Sequence, residues 1–91
     1  MIENIPAEGQ YVNISYFYNY GIPSEKLNVI TDLDSFRLHT SLSTSELYAN
    51  SVLIPANTTY EAKSYSITLT DKERPSLSTV IVIYQLPKEK P

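Results

Sequence analysis

Hydrophobic and polar residues alternate with period two along most of this chain, the signature of half-buried β-strands. Within residues 10–20, Val12, Ile14, Tyr16 and Tyr18 share one face, and Asn13, Ser15, Phe17 and Asn19 share the other. Gly21-Ile22-Pro23 ends this run, because proline cannot donate to a strand ladder. Leu27–Thr31 reads as a short second strand. Leu27, Ile30 and Leu33 also have helical spacing, but Asn28, Val29, Ile30 and Thr31 are poor helix formers. Asp32-Leu33-Asp34-Ser35 reads as a hairpin loop whose side chains bond the turn backbone.

Residues 36–42 alternate most cleanly, with Phe36, Leu38, Thr40 and Leu42 opposite Arg37, His39 and Ser41. A strand over residues 46–54 follows, with Tyr48, Val52 and Ile54 on one side and Leu47 and Leu53 on the other. The lesser reading there is a helical turn capped by Ser43, with Glu46 closing a capping box. In residues 58–70 the apolar phase flips, from Tyr60 and Ala62 to Tyr65, Ile67 and Leu69. That flip predicts a β-bulge or a change of sheet near Lys63-Ser64.

Residues 78–86 are apolar at nearly every position, which predicts a strand covered on both faces, with residues 80–84 the best protected. On that reading an aspartate in place of Val82 unfolds the domain. Residues 1–9 and 87–91 read as extended tails. The 91 residues together predict one all-β domain, a compact antiparallel β-sandwich or barrel of six to seven strands.

Composition narrows the function classes. The chain has no Cys, no Trp, one His and two Gly. Its core is thin at this length, and no disulfide reinforces it. The net charge is −3, and the seven Lys and Arg are scattered. Binding to nucleic acid or to an anionic membrane requires clustered cations, so neither is expected. No apolar run approaches the roughly 20 residues that cross a bilayer, and the first residues do not form a signal peptide.

Candidate chemistry is sparse. His39 falls on a polar face beside Arg37 and reads as an exposed strand residue. Asp32 and Asp34 resemble the start of a calcium loop, but Phe36 and Arg37 stand where further oxygen ligands belong, so turn chemistry explains the pair. No catalytic residue, metal or cofactor is therefore expected. Asn13-Ile14-Ser15 and Asn57-Thr58-Thr59 match the glycosylation pattern, but the motif is frequent by chance and no secretory signal accompanies it, so neither is expected to be modified, although Asn57 falls in a loop where acceptance would be possible.

Eight tyrosines are the positive signal. Tyrosine suits cross-strand pairs and also suits interfaces, where a rigid ring with a polar tip gives contact area. Tyr11, Phe17 and Tyr20 cannot all share the inward face set by Val12 and Ile14, so they form the candidate interface. The expected function is a non-catalytic structural or interaction subunit that contacts protein, itself or a larger assembly such as a virion or phage tail. A carbohydrate-binding or adhesive module is the alternative. A small inhibitor acting through an edge strand or the loop at residues 71–75 is a further one.

Overall fold

The alternation in residues 10–17 is realised as a strand: Val12, Ile14 and Tyr16 are buried, and the residues between them face solvent. The computed structural model describes residues 2–91. Among them are β1 (Ile2–Ile5), β2 (Gln10–Phe17), α1 (Pro23–Lys26), β3 (Leu27–Thr31), β4 (Leu47–Ile54), β5 (Lys63–Asp71) and β6 (Ser78–Gln85). The helical turn α1 starts at Pro23, whose fixed φ suits a first turn, and passes directly into β3.

Two layers face each other. The larger sheet has the order β1-β6-β5-β3, with β1 parallel to β6 and the other pairs antiparallel. The smaller is the antiparallel pair β2-β4. Ile14, Val52 and Ile54 of the smaller layer and Ile67 and Ile83 of the larger are fully enclosed. Burying each such side chain is worth about 1.5–3 kcal/mol. The fold is an all-β sandwich, and the sheets do not close into a barrel. The second and fourth strands form one layer, and the first, third, fifth and sixth form the other.

The molecule is elongated, 50 × 24 × 18 Å. Its radius of gyration is 14.8 Å, against about 12 Å expected for a compact chain of this length. Two ends result. At the lower end, buried amides tie segments together. Gln85 Nε2 donates to the carbonyls of Pro6, Ala7 and Pro55. Asn57 Nδ2 donates to those of Glu61 and Leu86, while its Oδ1 accepts from Thr59. Gly9 turns the chain there at φ +80°, and a Cβ on it would collide with the Ile54 carbonyl.

Several sequence expectations change. Residues 36–42 are not a strand. Alternation alone does not make one; a neighbouring edge must accept the ladder, and none does. Leu33 and Phe36 instead anchor a turn over the core, and Leu42 is exposed. No bulge forms at Lys63-Ser64, where the ladder to β6 is continuous from Lys63 onward. The phase flip marks where an irregular loop ends and β5 begins. Residues 2–5 are not a tail but β1, and Ile5 is buried. The strand β6 is covered on one face only: Ile81 and Ile83 point inward, while Val80 and Tyr84 are exposed. Val82 points outward with them, so an aspartate there enters no closed core. The capping box at Ser43 is replaced by a non-helical turn in which Glu46 adopts φ +60°.

Candidate functional site

Strand parity builds the outer face of the β2-β4 layer. The cross-strand pairs pointing away from the core are Tyr11↔Leu53, Asn13↔Ser51, Ser15↔Ala49 and Phe17↔Leu47. Tyr11 is 69% and Phe17 77% exposed. Six residue steps along the strand separate them, about 20 Å. The face thus has a bulky aromatic–aliphatic pair at each end and small residues between. None of its eight side chains carries a charge.

Tyr20 does not join this face. It lies beyond the end of β2, edge-on to Tyr18 at 5.8 Å between ring centres, with the Arg74 guanidinium 4.1 Å above its ring. The structure therefore places Tyr11 and Phe17 on one surface and assigns Tyr20 to the upper end.

That upper end is organised around Asp71. Tyr18 Oη donates to Asp71 Oδ2 at 2.6 Å, and the carboxylate's Oδ1 accepts the backbone N–H groups of Glu73 and Arg74. The Tyr18 hydrogen bond, helped by the two N–H groups, holds the Asp71 pKa below its ordinary value although burial opposes this. Burial and the hydrogen bond to the carboxylate push Tyr18 up to about 12. Lys26 Nζ pairs with Glu73 at 2.8 Å, raising the lysine and lowering the glutamate. The β5–β6 turn is thereby pinned to α1 and to the end of β2. Sequence reading placed Asp71 in a charged loop. Its odd-numbered parity with Ile67 and Leu69 was the signal that it points inward.

Between this turn and the end of β2 lies a cleft of about 310 Å³, with Tyr18 and Leu69 among its walls and Phe17 and Leu77 beside it. Tyr16, Tyr48 and His39 form a second aromatic group under the 32–46 segment, with Tyr48 5.6 Å from Tyr16 and 5.3 Å from His39. His39 is half-buried rather than exposed, because its ring packs on Tyr48 instead of projecting from a strand. Asp32 Oδ1 accepts the N–H of Ser66 on β5 rather than bonding its own turn, and Asp34 is exposed. Among the described residues no group of three potential metal ligands comes together. Asn13 is exposed on β2. Asn57 is buried with its amide engaged, so it is not the accessible loop residue expected. Among the described residues no helix is long and apolar enough to cross a membrane.

No family model, curated protein or solved structure matches this chain.

Proposed function

We propose that this chain is a non-catalytic structural subunit that assembles with copies of itself through the outer face of the β2-β4 layer. The observation that carries this reading is the placement of charge. Every described side chain that points outward from a strand is uncharged, on both layers. On the larger sheet that face bears Ile30, 74% exposed, with Val80, Val82 and Tyr84 among Ser and Thr. Isolated soluble sandwiches protect such surfaces with charge; faces that pack on protein do not need it.

The β2-β4 face is self-complementary. A two-fold axis across the strands sets Tyr11 over Phe17 of the second copy and Leu53 over its Leu47, with the small residues meeting at the centre. Two strands make a footprint well below the roughly 800 Å² per partner of a stable dimer. The contact is accordingly weak and closes as a pair, so a larger particle such as a virion or phage tail would hold the chain by further contacts as well. The sugar-binding alternative calls for a row of exposed tyrosines. Tyr11 and Tyr84 instead sit on opposite layers, and Tyr20 and Tyr60 lie in turns and loops.

The test is concentration-dependent light scattering of the native chain and of a Tyr11→Ala, Phe17→Ala double variant. Both side chains are exposed, so the variant folds. The reading requires that it lose association; equal association by both proteins places the contact elsewhere.

A further inference from the structure

Asp71 carries a charge that the chain only partly matches. Its side chain is 1% exposed. The Tyr18 hydrogen bond holds its pKa below the ordinary value, so it is ionised at neutral pH. Oδ1 accepts two backbone N–H groups, whereas among the described residues Oδ2 accepts only the Tyr18 hydroxyl. A carboxylate oxygen has room for two donors, so one place on Oδ2 is open. Arg74 does not take it. Its Nη1 stands 3.8 Å from Oδ2, beyond hydrogen-bond range, and its guanidinium lies over the Tyr20 ring.

Asp71 also lines the cleft of about 310 Å³. Tyr16, Phe17, Tyr18 and Tyr20 contribute to the same wall with Leu69 and Leu77, and among the described residues Asp71 is its one charged group. The wall comes from the end of β2, from β3 and β5, and from residues 76–79. It is therefore a depression between the layers and not a sheet edge. Ligand pockets run from about 300 to 1,000 Å³, so this one takes a small molecule, a ring with a short chain, rather than a length of polypeptide.

We infer that this cleft binds a small organic cation, an ammonium group on an apolar body. Three features select that class. The leucines and aromatic rings take up the apolar body. Aromatic rings attract a cation through the negative charge of their faces, and Arg74 at 4.1 Å over Tyr20 shows that this end of the molecule already holds one so. The carboxylate sets the sign. Little water screens it, so it attracts a cation and repels an anion, while a neutral ligand gains from the apolar wall alone. The ammonium group is drawn to the open place on Asp71 Oδ2. The site goes beyond the assembly reading and does not rest on it; of the residues on the outer β2-β4 face, Phe17 alone borders both.

The test titrates three probes of one size into the native chain at neutral pH, with amide NMR detection: phenethylammonium, the neutral 2-phenylethanol and the anionic phenylacetate. The ammonium is expected to shift Tyr18, Leu69 and residues 76–79. It is expected to bind at least about tenfold more tightly than the alcohol, with phenylacetate no tighter than the alcohol. Leu77→Lys sets a like charge in the wall. It weakens the ammonium at least about tenfold and changes the alcohol less than about threefold. The Leu77 side chain is exposed, and its bonds to Asp71 and Arg74 are made by backbone, so the variant keeps the native melting temperature. Tyr11 and Phe17 are untouched, so the result is independent of assembly through the outer face. Four outcomes overturn the site: no shifts at millimolar phenethylammonium, shifts confined to residues outside the cleft, equal affinity for the ammonium and the alcohol, or ammonium affinity indifferent to Leu77→Lys.

Discussion

Tyr18 and Asp71 stand 53 residues apart in the chain, and a buried hydrogen bond of 2.6 Å joins them across the two layers. It ties the end of β2 to the end of β5 and orients the turn that follows. The bond has a pH signature in two windows. The folded pKa of Tyr18 is raised to about 12, so its contribution is complete below the ordinary value near 10 and is lost as pH rises toward 12. The folded pKa of Asp71 is lowered, so its contribution is complete above the ordinary carboxylate value, about 4, and is lost as pH falls below it.

Tyr18→Phe removes the donor while the carboxylate keeps its two N–H partners. The expected loss at neutral pH is about 1–2 kcal/mol by urea unfolding. Between pH 10 and pH 12 the gap between native and variant chains narrows. A gap that stays constant through that window contradicts the hydrogen bond.

The parity of β6 gives a second prediction. Ile83→Ala opens a cavity in the closed core and costs about 2–4 kcal/mol. Val82→Thr alters an outward side chain on the same strand and costs less than about 1 kcal/mol. Thermal or urea unfolding of both variants checks this. Equal losses would mean that both faces of β6 are covered.

The two glycosylation-like motifs predict opposite behaviour. Asn57→Ala strips hydrogen bonds from the carbonyls of Glu61 and Leu86 and from Thr59, and costs about 1–3 kcal/mol. Asn13→Ala changes an exposed strand residue and stays within about 0.5 kcal/mol. Comparable effects at the two positions would remove Asn57 from its structural role.

These contrasts show which parts of the fold were legible in the sequence. Period-two alternation located β2, β3 and β4 and set the inward side of β2, because one buried face imposes that pattern directly, and an apolar run located β6. It also separated Tyr11 and Phe17 from the core. It failed where structure depends on a distant neighbour. Residues 36–42 alternate but lie beside no receptive edge, and β1 is too short to announce itself without β6. Asn57 and Gln85 read as ordinary polar residues, since the carbonyls they satisfy come from segments far away in sequence. The apolar run of β6 signalled two covered faces, but Val80 and Tyr84 on its outer side are exposed. The upper-end cluster was missed because the β3-β5 ladder brings Lys26 to Glu73, and stacking of the layers then brings Tyr18 to Asp71.

Sedimentation velocity over a concentration series tests the proposed assembly most directly. The comparison is between the native chain and Ser15→Arg, which sets a charge at the centre of the β2-β4 face opposite Ala49. Given the small footprint, association is expected from about micromolar to millimolar concentration. The account predicts a sedimentation coefficient that rises with concentration for the native chain and stays at the monomer value for Ser15→Arg. A native coefficient independent of concentration, or a Ser15→Arg chain that associates as the native one does, would contradict it.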